Sequence, residues 1–289
     1  MTASGLARPG KSGPRVAFQG ELGAYSEEAL QAYFQGGAIP VPQRDFSGVG
    51  RAVASERTDY GLLPIENSLA GSVVGAYDVL AGERLVVVGE VIRPIRHCLL
   101  GLAGAAIADL REVISHPVAL AQCTRFLSAH PSVEARAVYD TAGAAKQIAR
   151  RRDPALAALA GRNAARHYGL VVLAEHVEDR PDNQTRFLVI ARPATVPRAR
   201  DGIGARKTAL MFETENRPGA LVEVLRPFAD RKINLTKLES RPGTEPWTYR
   251  FFLEIEIGVD DAAGDAIEEA RRRTRLLRVL GSYPPWTSE

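Results

Sequence analysis

Apolar residues recur along the chain with two different periods, and the arrangement changes near residue 206. Before that point, short apolar runs typical of buried strands alternate with stretches of helical spacing. This alternation predicts an α/β domain with mostly parallel strands, long enough to form two lobes. Strands are predicted at Arg15–Phe18, Asp59–Leu63, Leu85–Ile92, Cys98–Leu102 and Val113–Ile114, and helices at Ser26–Phe34, Val49–Ser55, Pro117–Leu127 and Thr141–Arg150.

The last part of the chain follows a different order of elements. A strand at Thr208–Glu213 precedes a helix in which Leu221, Val224, Leu225 and Phe228 recur at helical spacing. Two further strands, a helix and a final strand are predicted at Ile233–Leu238, Tyr249–Ile257, Ala262–Arg275 and Leu276–Leu280. The order βαββαβ in about 80 residues predicts a ferredoxin-like domain.

Pro, Gly and charged residues without an apolar period separate these two parts. We therefore predict a disordered tail at 1–13, a first domain at 14–192, a linker at 193–206 and a second domain at 207–289.

The composition excludes several classes of protein. With 289 residues, 45% of them hydrophobic and 25% charged, the chain is an ordinary globular protein rather than a disordered or collagen-like one. Aliphatic runs are far shorter than the ~20 residues of a membrane span, and the tail lacks the apolar core of a signal peptide. Two cysteines, Cys98 and Cys123, are consistent with a reducing compartment and are expected to be inert packing residues. We expect a cytoplasmic protein without membrane partners.

The net charge of +3 is too small to indicate nucleic-acid binding. A modest positive excess would suit an anionic small molecule in a cleft, and a solvated surface accounts for it equally well.

Several predicted strands lead directly into predicted helices, where backbone N–H groups and the helix dipole favour anions. Ser26, Pro117 and Thr141 stand at such helix starts, with Ser26 a candidate N-cap. Each is also a routine helix cap, so only their recurrence on one sheet indicates a shared anion-binding cleft.

Two polar stretches stand out beside strands. Glu66, Asn67 and Ser68 follow the buried strand that ends at Leu63, and they could orient a substrate or form an ordinary loop. In the later stretch 183–190, strand alternation predicts that Thr185 and Phe187 share one face and Arg186 the other.

Common catalytic constellations are absent from the sequence. It contains no phosphate-binding glycine loop, no GxGxxG, no HExxH, and no metal-ligand spacing among its five histidines. We therefore expect an activity that needs neither a metal nor an organic cofactor.

The polar stretches together resemble the motifs of prephenate dehydratases, in that family's order, and the second domain is similar to the ACT domain through which such enzymes sense phenylalanine. Val118 departs from the pattern, since many relatives have Gln after Ser-His-Pro; we take it as a change at the pocket edge. The motifs are Pro64-Ile-Glu-Asn-Ser68, Ser115-His-Pro117 with Ala121-Gln-Cys123, Asp140-Thr-Ala-Gly-Ala-Ala145, Asn183-Gln-Thr-Arg-Phe187, Pro218-Gly-Ala-Leu-Val222 and Glu239-Ser-Arg-Pro242.

The resemblance implies a two-lobed catalytic domain like a periplasmic binding protein, and conversion of prephenate to phenylpyruvate, CO2 and water in phenylalanine biosynthesis. It places Thr185 at the leaving hydroxyl and Asn67, Ser115 and Gln122 around the substrate. Supporting roles fall to Glu66, Ser68, Thr141, Arg186 and Phe187. Arg186 is either a carboxylate clamp or part of a structural salt bridge.

The resemblance also implies that L-phenylalanine binds the ACT domain as an effector. The implied residues are Asn216, Pro218, Gly219, Ala220, Leu221, Val222, Leu235, Glu239, Ser240, Arg241 and Pro242. These residues belong to two segments, 216–222 and 235–242, and neither alone encloses a benzyl side chain. We therefore expect a second copy of the domain to complete the site, in a homodimer or homotetramer.

Two other functions stay open. Arogenate dehydratase differs only in an amino group where prephenate has a keto group. A non-catalytic amino-acid sensor on a solute-binding fold is the other alternative, although the presence of Thr185, Asn67 and Gln122 argues against it.

Overall fold

A computed structural model of the chain describes residues 13–82, 84–195, 206–258 and 261–287. The predicted tail at 1–13, apart from Gly13, and most of the predicted linker at 193–206 lie outside the described residues.

Strands and helices alternate through the first two thirds of the chain. The strands are β1 (Arg15–Gln19), β2 (Ile39–Gln43), β3 (Tyr60–Asn67), β4 (Gly71–Ser72), β5 (Val86–Pro94), β6 (Cys98–Gly101), β7 (Glu112–Ser115), β8 (Glu134–Ala137), β9 (Leu156–Ala160), β10 (Val171–Ala174), β11 (Gln184–Ala191), β12 (Lys207–Glu213), β13 (Leu235–Pro242), β14 (Tyr249–Ile255) and β15 (Leu276–Tyr283). The α-helices are α1 (Tyr25–Tyr33), α2 (Phe46–Ala54), α3 (Val74–Gly82), α4 (Pro117–Ala121), α5 (Thr124–Ser128), α6 (Thr141–Arg151), α7 (Arg162–Tyr168), α8 (Ala220–Asp230) and α9 (Asp261–Arg271).

Two sheets form the first part of the fold. One has the strand order β2-β1-β3-β11-β5, with β4 paired to β3, and the other has the order β10-β6-β9-β7-β8. In the first sheet, β1 pairs in parallel with β2 and β3, whereas β4 is antiparallel to β3. In the second sheet, β7 pairs in parallel with β8 and β9, whereas β6 is antiparallel to β9 and β10. Each sheet therefore mixes parallel and antiparallel pairs, and the predicted two-lobed α/β architecture is confirmed.

The last part of the chain forms a four-stranded antiparallel sheet with the order β13-β14-β12-β15. Helices α8 and α9 cover one face through a buried apolar cluster that includes Leu210, Phe212, Val224, Phe228 and Ile267. Because β12, α8, β13, β14, α9 and β15 follow one another in the chain, the predicted ferredoxin-like βαββαβ order is confirmed.

Three local predictions are wrong. The single helix predicted over Pro117–Leu127 is two short helices, α4 and α5, because the chain turns at Gln122 and Cys123. The strand predicted to end at Leu63 continues through Pro64 to Asn67. The N-cap of α1 is Ala24 rather than Ser26, which lies in the first turn.

The chain divides into two compact units. Among the described residues, one unit comprises 13–79 together with Val91–Leu188, and the other comprises Leu80–Glu90 together with the residues from Val189 onward. Within the second unit, Lys207 Nζ lies 2.8 Å from Glu90 Oε1, and Arg278 donates to the Ala81 carbonyl at 2.9 Å. The segment Leu80–Glu90 is therefore held by strands of the antiparallel sheet.

In the described part of the chain, every helix is too short or too polar to cross a membrane.

Candidate active site

A cavity of about 420 Å³ lies in the first unit, and its volume is within the ~300–1,000 Å³ range of small-molecule sites. Its wall combines apolar side chains, neutral polar side chains and one carboxylate, and its described lining includes neither Arg nor Lys. The basic residues that give the chain its net positive charge therefore lie outside the described lining of this cavity. The lining residues are Gln19, Ala24, Tyr25, Ser26, Phe46, Pro64, Asn67, Ala70, Gly71, Ser72, Val73, Ile95, His97, His116, Val118, Ala119, Gln122, Tyr139, Asp140, Thr141, Thr185 and Phe187.

The orientation of the Asn67 amide is fixed by the turn that follows it. Its Oδ1 accepts the backbone N–H groups of Leu69 at 3.0 Å and Ala70 at 2.9 Å, so its Nδ2 must face the opposite way. The turn closes a short hairpin in which Asn67 pairs with Gly71, whose φ of +81° suits glycine. A local backbone turn thus aims the amide donor at the start of β11.

The Thr185 hydroxyl oxygen accepts a hydrogen bond from this amide. Asn67 Nδ2 lies 2.9 Å from Thr185 Oγ1, and Thr185 is only 8% exposed. Since the oxygen accepts from Asn67, the hydroxyl proton of Thr185 must point elsewhere. None of the described residues accepts that proton in a hydrogen bond, which leaves a donor at the cavity wall.

A chain of amides continues from Asn67 across the cavity wall. Asn67 Nδ2 also donates to Asn183 Oδ1 at 2.8 Å, and Asn183 Nδ2 donates to Gln122 Oε1 at 3.0 Å. Each amide orientation follows from its neighbour, because an amide that accepts on oxygen presents its nitrogen as a donor. Asn183 is fully buried and joins the two predicted residues Asn67 and Gln122.

The break between α4 and α5 positions Gln122. Gln122 is the C-cap of α4, and its carbonyl accepts the backbone N–H of Asp179 at 2.7 Å. The Asp179 carboxylate then accepts the N–H groups of Thr124 and Arg125, each at 2.9 Å, and so satisfies the start of α5. This interruption turns Gln122 toward the cavity, where its amino group has no hydrogen-bond partner among the described residues.

Strand alternation places the residues around Thr185 as predicted. Phe187 is buried and lines the cavity with Thr185, whereas Arg186 is absent from the lining and lies 3.2 Å from Glu66 Oε2. Of the two interpretations of Arg186, the geometry matches the salt bridge. Ser68 also lies off the cavity, since its Oγ accepts the Gln184 N–H at 2.9 Å and ties β3 to β11.

Of the predicted residues Ser115 and Thr141, only Thr141 lines the cavity. Ser115 is fully buried, and its Oγ donates to the Leu159 carbonyl at 2.6 Å on the neighbouring strand β9. It is not a lining residue, whereas Thr141, the first residue of α6, is one. The structure therefore brings Thr185, Asn67, Gln122, Thr141 and Phe187 to the cavity, and leaves Ser115, Glu66, Ser68 and Arg186 outside its lining.

Asp140 is the one carboxylate in the described lining. It caps α6, and its oxygens accept the N–H groups of Glu21 at 2.9 Å and Ala142 at 3.3 Å. Burial raises the pKa of its carboxyl, while these backbone donors oppose the increase. Val118 also lines the cavity and is 41% exposed, which agrees with a position at the pocket edge.

The two cysteines are buried and unbridged. Burial raises the pKa of Cys123 to about 12 and also raises that of Cys98, so both side chains stay thiols at neutral pH. Their predicted burial is confirmed.

Sequence reasoning missed three residues of the cavity network: Tyr25, His97 and Asn183. Asn183 stood inside a quoted motif, and its place directly before a buried strand was a signal for a buried polar residue. Tyr25 and His97 gave no signal, because they are 72 residues apart and meet only in the folded chain, with Tyr25 Oη 2.8 Å from His97 Nδ1.

The predicted effector segments lie in the antiparallel sheet domain. Gly219 is the N-cap of α8, with a φ of +81°, and Asn216 precedes it in the loop after β12. The end of β12 is level with Arg241 at the end of β13, because Glu213 and Arg241 both pair with Arg250 of the intervening strand β14. Leu235 lies at the other end of β13, so one chain does not bring it beside Gly219.

Comparison with known proteins is consistent with this site. Residues 16–195 match the family model for prephenate dehydratase, and residues 208–272 match the model for the ACT domain. The chain belongs to the prephenate dehydratase family and carries a C-terminal ACT domain. Its family is that of dehydratases in aromatic amino-acid biosynthesis.

Three relatives illustrate the range of the similarity. Arogenate dehydratase/prephenate dehydratase 2 of Arabidopsis thaliana, a chloroplastic protein, is 43% identical over 281 residues, which cover 93% of this chain and 72% of the relative. A prephenate dehydratase from Arthrobacter aurescens, solved in complex with L-phenylalanine, is 31% identical with a TM-score of 0.85 and coverage of 93% and 89%. A solved structure described as a quorum-quenching acylase is 32% identical with a TM-score of 0.86 and coverage of 94% and 98%.

Proposed function

We propose that this protein is a prephenate dehydratase, which converts prephenate to phenylpyruvate, CO2 and water in phenylalanine biosynthesis. The bond from the quaternary ring carbon to its carboxylate breaks, and the electron pair moves through the ring to expel the hydroxyl group. The dianion and one proton give CO2, water and the phenylpyruvate anion, so the reaction is redox-neutral. Formation of the aromatic ring makes an electron sink unnecessary.

The hydrogen-bond state of Thr185 is the observation that carries this proposal. Its oxygen accepts from Asn67 Nδ2 at 2.9 Å, so its proton is free to meet the departing hydroxyl. A threonine hydroxyl has a pKa far above 7 and is a poor proton source. We therefore assign it a positioned hydrogen bond that strengthens as charge develops on the leaving oxygen.

Neutral groups are proposed to hold the carboxylates of the substrate. The start of α1 has no side-chain cap, and Ala24, Tyr25 and Ser26 at this helix start line the cavity. Unpaired N–H groups and the helix dipole favour an anion at such a position. Thr141 at the start of α6 and the amino group of Gln122 add further donors.

The apolar part of the wall favours the loss of CO2. Phe46, Pro64, Val73, Ile95 and Phe187 line the cavity and offer no hydrogen bonds through their side chains. A carboxylate placed against them is poorly solvated, whereas the CO2 that it becomes is uncharged, so the reaction relieves the desolvation.

The choice between prephenate and arogenate tests the proposal. Relatives carry the names of both activities, and the two substrates differ only in a keto or an ammonium group. We expect purified protein to convert prephenate with the higher kcat/KM, with phenylpyruvate followed by ultraviolet absorbance and phenylalanine from arogenate by chromatography. A kcat/KM at least tenfold higher for arogenate would reassign the protein as an arogenate dehydratase.

An acylase activity receives no support from this cavity. In the described part of the chain, no Ser, Thr or Cys side chain is hydrogen-bonded to a histidine, the arrangement that commonly activates a nucleophile. Dehydration of prephenate requires no nucleophile.

We also infer that L-phenylalanine regulates the protein through the ACT domain, with a homodimer or homotetramer completing the effector site. A related prephenate dehydratase was solved with L-phenylalanine, and the start of α8 offers N–H groups to a carboxylate. The separation of Leu235 from Gly219 within one chain supports a site completed by a second copy. The expected cytoplasmic location stays a prediction.

Substitution of Gly219 should weaken this regulation. A Cβ at this position would meet only Glu223 Oε1, at 3.8 Å, so the expected effect comes from the φ of +81° rather than from crowding. That conformation costs an L-residue roughly 1–2 kcal/mol, which should shift the helix start and raise the phenylalanine concentration for half-inhibition several-fold in Gly219→Ala.

The matched control is Gly264→Ala, because Gly264 lies in α9 with space for a Cβ and without a positive φ. We expect this variant to keep the wild-type phenylalanine response. The full chain is used, since Leu80–Glu90 is held by the antiparallel sheet. Equal half-inhibition concentrations in the wild type and Gly219→Ala would place the effector elsewhere.

A further inference from the structure

His97 is a buried titratable group in the cavity wall. It is only 1% exposed and follows β5 in the chain. Its Nε2 lies 3.0 Å from Gln122 Oε1, and its Nδ1 lies 2.8 Å from Tyr25 Oη. It is therefore connected through Gln122, Asn183 and Asn67 to Thr185.

The amide chain assigns the proton on Nε2. The turn after Asn67 fixes the Asn67 amide, which fixes Asn183, which in turn directs the oxygen of Gln122 toward His97. Since that oxygen only accepts, His97 Nε2 must carry a proton. The neutral imidazole then has a bare Nδ1, which accepts from the Tyr25 hydroxyl.

The same geometry also accommodates the protonated imidazole. Tyr25 Oη lies 2.8 Å from the Arg96 carbonyl oxygen as well as 2.8 Å from His97 Nδ1. If Nδ1 gains a proton, it can donate to Tyr25 Oη while the phenol proton turns to the Arg96 carbonyl. Both ring nitrogens of His97 are therefore hydrogen-bonded in either protonation state, and only one hydroxyl rotates between them.

Burial, which outweighs the nearby charges, favours a neutral His97 ring in the free protein. Burial lowers the pKa of His97, while the hydrogen bond to Gln122 and the nearby Glu178 carboxylate raise it. Glu178 accepts the backbone N–H of His97 at 2.8 Å and lies 3.7 Å from Arg96. Among the nearby groups, Tyr25, Cys98 and Cys123 have a raised pKa and stay neutral. Burial also raises the pKa of the Glu28 carboxyl, which acts on Tyr25, and His176 lies 3.6 Å from Glu178.

A dianion alters this balance, because no described Arg or Lys lines the cavity to neutralise it. We propose that His97 takes up a proton when the dianionic substrate binds, so that the cavity gains its positive charge only in the complex. The proposal rests on the proposed function for the identity of the dianion. His97 is a positioning and charge-compensating residue, connected to Thr185 through the amide chain.

Proton uptake by His97 on substrate binding predicts a KM for prephenate that depends on pH. The substrate carboxylates stay ionised above about pH 5, so a KM that changes between pH 6 and 8 reports a group of the protein, and the variants below assign it to His97. KM for prephenate should rise by up to tenfold per pH unit between the His97 pKa of the free protein and that of the complex. Burial lowers the pKa of His97 in the free protein below the ordinary 6.5 of histidine, so the rise in KM begins on the acid side of that value and continues up to the pKa of the complex.

Three variants test the assignment. His97→Gln can keep an N–H donor toward Gln122 without a titrating group, and we expect a KM that is constant between pH 6 and 8. Tyr25→Phe removes the acceptor for the added proton and should shift the pH range in which KM rises to lower pH. His116→Gln changes the other cavity histidine and should keep the wild-type slope of KM against pH.

Each outcome decides the proposal. Circular dichroism confirms that each variant is folded before kinetics. Turnover of prephenate with the same slope of KM in the wild type and His97→Gln, an unshifted pH range in Tyr25→Phe, or a slope lost only in His116→Gln would overturn it while the proposed function stands. Absence of both turnover and binding of prephenate would contradict the proposed function and this inference together.

Discussion

Thr185→Val should lower kcat by about 10²–10³, the typical cost of one preorganised donor to a developing oxyanion, with a much smaller change in KM. Valine preserves the shape of threonine but removes the hydroxyl that accepts from Asn67 at 2.9 Å, the group that we propose donates to the leaving hydroxyl. Since the contact strengthens in the transition state, its loss affects kcat more than substrate binding.

Steady-state kinetics with prephenate measure this effect. Thr185→Ser is the matched control, because it retains the hydroxyl and should keep most of the activity. An unchanged kcat in folded Thr185→Val would remove Thr185 from the chemistry.

Asn67→Asp should be at least as damaging, with kcat reduced by about 10³ or more. The introduced aspartate can still accept the N–H groups of Leu69 and Ala70. It replaces the donor facing Thr185 with a carboxylate oxygen, so the Thr185 proton turns inward to this carboxylate and away from the leaving group. The added negative charge also repels a dianionic substrate, so KM should rise as well.

The double variant Asn67→Asp with Thr185→Val tests the connection between these residues. Because the aspartate acts largely through the threonine hydroxyl, the two losses in kcat should be far from additive. Strictly additive losses would show that Asn67 and Thr185 act independently.

Much of the fold could be predicted from the sequence where the apolar period is clear. The βαββαβ order was readable because Leu221, Val224, Leu225 and Phe228 repeat at helical spacing between alternating strands. Strand β9 was missed because its sequence Leu-Ala-Ala-Leu-Ala has helix-forming residues, and only its fully buried position between β6 and β7 makes it a strand. Strand β2 was missed because it contains two prolines, which its place at the sheet edge tolerates.

The site was partly predictable for a similar reason. Strand alternation predicted that Thr185 and Phe187 lie on one face and Arg186 on the other. The resemblance of the motifs predicted that Asn67 and Gln122 belong to the same site, and both line the cavity. The position of Ser115 was not predictable, because its hydrogen bond to Leu159 depends on the pairing of β7 with β9. The contact of Tyr25 with His97 likewise arises only from tertiary packing.

The most direct test of the central claim is the product stoichiometry of the purified protein with prephenate near pH 7. The proposed chemistry predicts one phenylpyruvate, measured by ultraviolet absorbance, and one CO2 for each prephenate consumed, at a rate that Thr185→Val reduces by about 10²–10³. Prephenate left intact by the wild-type protein, or turned over equally fast by Thr185→Val, would contradict the assignment of this cavity as the dehydratase active site.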